Sequence, residues 1–404
     1  MRTDSKETIN LLQLKFFIEV AKYQNISKAA EHLYRTQSAV TRAIADLEKQ
    51  LNVQLFERHH QGVILTEIGK FIYQQTHIVI EELQHIPEIV EKLRQDNSAF
   101  QPRDCYFLYN TRRLEIFSLL YLTQGMKNTA SLLNITQPAV SSAIKLLENA
   151  LHVELFSRTA NGIQPTEICN KLYPLIKRAL NVIHDLPDQT ARFRGRIQGI
   201  VKIGALPLIR THILPQAMVA VVEKYPDIQF VTFENAYESL VAQLRSGDID
   251  FIIGALRPKQ QSTDLQSIAL FEENLCLVVR KQHRLLRKEF QLTDLLSYQW
   301  ILPRVNSPTR ILLERNFAAL NLPAPLPTVE TGDLALCRGL LLASDMIAVV
   351  SAQQMKYEID QRMIKTLPIA LPQTTRQIGL IYRKNSVHTA ASQVVIDSLK
   401  NLFQ

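Results

Sequence analysis

Glycine is scarce in this sequence, at 12 of 404 residues, and tryptophan occurs once. No glycine run has the spacing that cradles a phosphate on backbone amides, and there is no G-x-S-x-G or H-E-x-x-H. The four cysteines, Cys105, Cys169, Cys276 and Cys337, form no C-x-x-C pair and lie near no metal-spaced histidine cluster. They read as reduced structural thiols, which suits the cytoplasm. No apolar run is long enough to cross a bilayer. The opening MRTDSKETIN is polar and lacks the apolar core of a signal peptide. These absences leave no constellation for catalysis, no metal site, no cofactor and no membrane partner.

What is present is an ordinary folded composition, 46% hydrophobic and 21% charged, in a chain long enough for two to four domains. The net charge of +8 permits a polyanionic partner. It is not concentrated in an arm: residues 1–100 carry 12 Lys/Arg against 13 Asp/Glu, and residues 101–200 carry 12 against 7. Any phosphate contacts must therefore come from a few placed side chains.

The dominant feature is an internal repeat. Shifting the sequence by 100 residues aligns 14–70 with 114–170 without a gap, and 22 of the 57 pairs are identical. TQSAVTRAIADLEKQLNVQLFER from Thr36 matches TQPAVSSAIKLLENALHVELFSR from Thr136. Two copies of one small domain follow, too few for a solenoid.

In the first copy Leu14, Phe17, Ile18 and Ala21 recur at helical spacing. Ser27 is placed to cap a short second helix carrying Ala29, Ala30 and Leu33. A tight turn at Tyr34–Arg35 leads to Thr36, the expected cap of a third helix whose core face is Val40, Ile44, Leu47 and Leu51. In the second copy Thr136 is the expected cap, with Pro138 in the first turn. Val53–Phe56 and Val63–Leu65, flanking Gly62, suggest a hairpin wing. Helix, short helix, turn, helix and wing is the arrangement that offers a third helix to a DNA major groove.

On that third helix Gln37, Ser38, Thr41 and Arg42 face away from the core. Glutamine suits adenine and arginine suits guanine. The matching face of the second copy is Gln137, Pro138, Ser141, Ser142 and Lys145. Arg58 and Arg158 lie where a wing approaches the sugar-phosphate backbone. One polar position on a helix is ordinarily just solvated; the repeated set beside a helix-turn-helix core points to double-stranded DNA. His59 and His60 near the wing tip read as solvent-exposed rather than as metal ligands.

Phe17, Ser27, Ala29–Ala30, Leu33, Thr36–Gln37, Ala39–Val40, Arg42, Ile44, Leu47–Glu48, Leu51, Leu55–Phe56, Arg58, Leu65–Thr66 and Gly69 resemble the N-terminal signature of LysR-type transcriptional regulators. The second copy keeps Ala130, Thr136–Ser141, Leu147–Glu148 and Leu155–Phe156. It departs at Asn128–Thr129, at Ser142 where the family usually has Arg, and at Cys169 where it usually has Gly. The first copy departs at Ser38, where Pro is usual. A typical member has one such domain. The resemblance also implies a linker helix after the wing that pairs with its twin in a dimer. Residues 66–94 and 166–185 have the matching apolar period, so the two are expected to pair within one chain, kinked or interrupted at Pro87 and Pro174.

From about Gly199 the texture changes. GIVKIGAL and DIDFIIGAL read as strands buried on both faces of a parallel sheet. ILPQAMVAVVEKYPD and YESLVAQLRSGD read as amphipathic helices between them. Further strands are expected at LCLVVRK, WILPR, MIAVVS and QIGLIYRK, an α/β pattern. Ligands in such folds bind beyond the C-terminal ends of strands. That marks Ala205, Leu206, Pro207, Gly254, Ala255, Ser307, Pro308, Thr309, Gly332 and Asp333. Ser307 is a good helix cap, and the free amides behind it suit an anion or a hydroxyl.

LPQ…KYPDIQF…LRSGDIDFIIGAL resembles the effector domain of LysR-type regulators, which is similar to type 2 periplasmic binding proteins with two α/β lobes. ILPRVNSPTRILLERNF and the segment from LPTVE to AVVS resemble a galactose-binding-protein regulator subgroup, implying a sugar or small organic acid as effector. The expected architecture is thus multidomain: two all-α-type winged helix-turn-helix domains at 10–70 and 110–170, a linker helix and connector at 71–109, a linker helix at 171–195, and a two-lobed α/β effector domain at 196–404.

The expected function is a cytoplasmic, homo-oligomeric, effector-controlled DNA-binding transcription regulator and not an enzyme. Two other readings stand beside it. In one, the first copy alone binds DNA and the second serves dimerisation. In the other, the chain is a ligand-binding protein without DNA, against which the attached copies and the missing signal peptide argue.

Overall fold

The computed structural model describes residues 9–60, 62–93, 105–159, 162–191, 196–257, 264–384, 386 and 388–403, with 105, 158, 159 and 191 described in backbone alone. The chain divides into two compact units, residues 1–199 with 245–248, and 200–244 with 249–404.

In the first unit the opening head is built from α1 (Leu11–Tyr23), α2 (Ile26–His32), α3 (Gln37–Leu51) and a hairpin of β1 (Phe56–His59) with β2 (Gly62–Leu65). Each helix starts where a side chain accepts an otherwise orphaned amide: Asn10 from Leu12, Asn25 from Lys28, Thr36 from Ala39. The cap of α2 is therefore Asn25 and not Ser27, which is the second residue of the helix and exposed. Phe17, Val40, Leu47 and Leu55 are fully buried, and the Phe17 ring meets Phe56 at 5.4 Å.

The first wing strand begins at Phe56, later than the Val53–Phe56 expected, and ends in the charged Glu57–His59. The Glu48 carboxylate accepts the amides of Leu55 (2.7 Å) and Phe56 (3.4 Å), so the preceding segment turns rather than pairs. Gly62, at φ 147°, lets the wing touch the first helix: a Cβ there would sit 2.2 Å from the Gln24 carbonyl oxygen.

The second head repeats this with α6 (Thr111–Thr123), α7 (Met126–Leu132), α8 (Gln137–Leu151), β3 (Phe156–Thr159) and β4 (Gly162–Pro165). Between the heads come α4 (Glu67–Gln84) and α5 (Ile86–Leu93), and after the second comes α9 (Glu167–Ala191). The chain breaks at His85, with Pro87 in the first turn of α5, where a missing N–H costs little. Of the kink or interruption expected at Pro174, the structure has no interruption, since α9 runs on through Pro174 and Pro187. Its apolar face is packed on α4 and α6, and that burial offsets the lost backbone bonds.

The second unit holds two five-stranded sheets. The first, in the order β6-β5-β7-β14-β8, comprises β5 (Gly199–Ala205), β6 (Ile228–Phe233), β7 (Phe251–Ala255), β8 (Leu265–Glu273) and β14 (Arg376–Arg383), with α10 (Ile213–Lys224), α11 (Tyr237–Ser246) and α15 (Ala390–Asn401). The second, in the order β11-β10-β12-β9-β13, comprises β9 (Leu275–Arg280), β10 (Trp300–Leu302), β11 (Pro327–Glu330), β12 (Ile347–Ser351) and β13 (Ile364–Thr366), with α12 (Pro308–Ala319), α13 (Leu334–Ala343) and α14 (Lys356–Asp360).

The sheets are mixed, not parallel as expected: β5 with β7 and β10 with β11 and β12 run parallel, whereas β14 lies antiparallel to β7 and β8, and β9 to β12 and β13. The antiparallel members are those by which the chain crosses between sheets, at Asn274 and again before Arg376. The crossings are tied by Thr375 donating to the Asn274 side chain (2.6 Å) and the Leu275 amide donating to Thr374 (3.1 Å).

Candidate nucleic-acid interface and effector cleft

On α3 one face is outward: Gln37, Ser38 and Arg42 are exposed while Val40, Ile44 and Leu47 hold the core. Thr41 is half-buried and donates its hydroxyl to the Gln37 carbonyl (2.8 Å), and Ser38 shares a hydrogen bond with Thr36 (3.1 Å). Arg58 is exposed on β1 opposite Val63. In the turn between α2 and α3, Tyr34 is 91% exposed at φ 52°.

On α8 the exposed set is Gln137, Pro138, Ser142 and Lys145, with Ser141 half-buried. Arg158 is on β3 opposite Ile163, and its side chain lies outside the described residues. Thr136 occupies the cap position without the side-chain bond expected of it, and Pro138 fills the first turn. Proline already presets that turn, and its missing N–H is one donor fewer to satisfy. Thr36→Ala is therefore expected to cost about 1 kcal/mol and Thr136→Ala clearly less, read as the difference in thermal denaturation of the two variants. Equal losses would show that the two starts are held alike.

The differences between the heads gather on the outer faces. Arg42, Arg35 and Lys28 correspond to Ser142, Ile135 and Asn128. His32 and Asp46 correspond to Leu132 and Leu146, which are 67% and 49% exposed. Lys127 and Lys145 replace Ser27 and Ala45, so charge is moved rather than removed.

In the second unit a cleft of about 650 Å³ opens between the two sheets. Of the residues expected there, Leu206, Pro207, Ala255, Ser307, Pro308, Thr309, Gly332 and Asp333 line it. Ala205 and Gly254 do not: Ala205 is a buried strand end, and Gly254, at φ 154°, lets Leu206 pack where a Cβ would come within 2.5 Å. Ser307 caps α12 by accepting the Arg310 amide at 3.3 Å, and Asp333 caps α13 by accepting that of Leu336 at 2.7 Å.

Sequence reasoning missed three arginines: Arg257 and Arg304 stand two residues beyond the ends of β7 and β10, where a lone arginine reads as a solvated loop charge, and Arg376 lies at the N-terminal start of β14. Arg257, Arg304 and Arg376 all line the cleft. Arg257 lies 3.8 Å above the Tyr237 ring and bonds Glu238 at 2.7 Å, and that bond holds the Glu238 carboxyl below its ordinary range. Arg376 bonds Thr309 at 2.9 Å and Glu273 at 2.6 Å. Cys337 also lines the cleft, but burial pushes its thiol up to about 11, so it is no nucleophile at neutral pH. Among the described residues no three His, Cys, Asp or Glu side chains gather as metal ligands, and no helix is long and apolar enough to cross a membrane.

Comparison with known proteins agrees with this geometry. The model of the LysR substrate binding domain matches residues 194–404. That of the bacterial regulatory helix-turn-helix protein, lysR family, matches twice, at 11–70 and 111–170. The HTH-type transcriptional regulator GalR of Pseudomonas putida is 39% identical over 397 residues, 98% of either chain. PcaQ of Agrobacterium fabrum is 27% identical over 292 residues, covering 72% of this chain and 93% of its own length. A solved structure of full-length CbnR complexed with its target DNA superposes with a TM-score of 0.54 at 20% identity, over 72% of this chain and 99% of that one, which establishes a shared fold.

Proposed function

The chain belongs to the LysR family of bacterial transcriptional regulators and has that family's effector-binding domain, and from that premise we propose which residues read DNA and what the cleft takes. Segments 10–70 and 110–170 both act as winged helix-turn-helix domains, segments 71–109 and 171–195 join them, and 196–404 is the effector module. Gln37, Ser38, Thr41 and Arg42 meet base edges, with Ser27, Thr36 and Arg58 on phosphates. Gln137, Pro138, Ser141, Ser142 and Lys145 form the second reading face, with Thr136 and Arg158 at its backbone contacts. The observation that carries this is the outward face of α3, with Gln37 and Arg42 exposed above a closed apolar core. CbnR, of the same fold, is solved on its target DNA.

The cleft is proposed to take a small organic acid in preference to a sugar. Arg304 supplies positive charge and the N-terminal end of α12 at Ser307–Thr309 a dipole suited to a carboxylate, while the charge of Arg376 is already met by Glu273. The protein works in the cytoplasm as a homo-oligomer and performs no chemistry on its ligand. Effector binding shifts the balance between arrangements that hold DNA differently.

Arg42→Ala tests the reading. It is expected to lose about 1–3 kcal/mol of discrimination at one base pair in a selection from random duplexes. Arg58→Ala is expected to weaken binding to all sequences and flatten its salt dependence. Unchanged preference at every position with Arg42→Ala, or no affinity of the wild type for any duplex at low salt, would remove the proposal.

A further inference from the structure

The two heads belong to one unit, and they meet as equivalent halves. Residue 11 of the first copy corresponds to residue 111 of the second, and these two touch: the Leu11 amide donates to the Thr111 hydroxyl at 3.0 Å, which in turn donates to the Ile9 carbonyl at 3.3 Å. The equivalent helices α4 and α9 pack on each other. Ile72, Val79, Ile80 and Leu83 from one and Leu172, Ile176, Leu180 and Ile183 from the other are all buried in one continuous core. Arg178 closes the pair with bonds to Glu82 at 3.0 and 2.8 Å. Contact between like positions is the signature of a two-fold relation, here built into one polypeptide. Tyr106, just before the second head, donates to the Leu33 carbonyl and lies 4.8 Å under the Arg35 guanidinium, fastening the second head to the turn of the first.

We propose that a single chain reads a complete, non-palindromic DNA element, α3 on one half-site and α8 on a different one in inverted orientation. The proposal rests on the DNA-reading function argued above and adds the form of the target. A second chain seeking to pair its own first head here must displace a covalently tethered partner, whose effective concentration is on the order of millimolar. The faces presented are unequal. Arg42 offers the fork that suits guanine O6 and N7, whereas Ser142 has no such fork, and Leu146 beyond it offers only apolar contact, which suits the methyl of thymine. Because the heads are joined in fixed order, the element has a direction.

The test is selection from random duplexes with the full-length wild type, with Arg42→Ser, and with a variant whose second face copies the first: P138S, S141T, S142R, K145A and L146D together. The wild type is expected to enrich two different half-sites in one fixed order. Arg42→Ser is expected to alter only one of them. The copied face is expected to convert the element into an inverted repeat of the Arg42-dependent half-site. A wild-type preference for a perfect inverted repeat, which two chains each lending a first head would give, overturns the inference while leaving DNA reading intact. So does a copied-face variant that selects the wild-type element or a direct repeat. Absence of any enrichment overturns the DNA-reading function itself.

Discussion

Glu273→Ala is expected to destabilise the effector-binding unit by about 3–5 kcal/mol, because it strands a buried guanidinium. Glu273 and Arg376 have side chains only 9% and 8% exposed, and their charges meet at 2.6 Å. Glu273 also accepts the Ser351 hydroxyl, while Arg376, with two nitrogens on Glu273, spends its third on Thr309. The pair joins the end of β8 and the start of β14, in one sheet, to the end of β12 and the first turn of α12, which belong to the other. Without the carboxylate the guanidinium keeps its desolvation cost and loses its counter-charge. The apolar double replacement E273L/R376M removes both charges and is expected to recover most of the loss. The single tryptophan makes the measurement selective: Trp300 is 1% exposed in this unit, its indole N–H donating to the Leu295 carbonyl, so intrinsic fluorescence in a urea titration follows this unit. If E273A unfolds at the wild-type midpoint, the ion pair does not hold the crossing.

Phe17→Ala is expected to cost the DNA-reading unit about 3–5 kcal/mol. The ring is fully buried, contacts Phe56 at the base of the wing, and sits where α1 packs against α2, α3 and α4. A benzyl-sized cavity there loosens the seat of α3, so DNA affinity falls together with helical stability. The equivalent Phe117 is equally buried, 5.8 Å from Phe156, and its replacement is expected to cost as much. The readout is far-UV circular dichroism, dominated by the helical unit, set beside Trp300 fluorescence. Loss of the first with the second unmoved is the expected pattern. A variant that melts like the wild type would mean the core refills the space.

Much of the DNA-reading half was legible in the sequence because its signals are local. Val40, Ile44, Leu47 and Leu51 mark one face at helical period, so Gln37, Ser38 and Arg42 had to lie on the other. The duplication doubled every such signal. The misplaced wing strand has a physical cause: a two-stranded ribbon in solvent needs no apolar residues, so Glu57–His59 carried no strand pattern, while Val53–Leu55, which did, is held by Glu48. That α9 continues through Pro174 has a related reason. Proline weakens a helix in isolation, and only tertiary packing on α4 and α6 reveals what offsets it.

The cleft was half legible. Strand ends and caps such as Ser307 and Asp333 are sequence-local, but Arg257, Arg304 and Arg376 come from distant parts of the chain. Arg257 and Arg304 stand just past strand ends, but only the packing of the two sheets brings Arg376, at the start of β14, into the same cleft.

The amino-acid order alone determined that there are two equivalent heads, which face of each third helix stays wet, and that an α/β module follows. Each of these is encoded in residue periods and caps spanning a few turns. Only the tertiary structure decided what each apolar face is buried against: α4 on α9 within one chain, strands paired in mixed rather than parallel sheets, and three arginines brought to one cleft. Apolar periodicity states that a surface must leave water, but since burial is non-directional it does not name the partner.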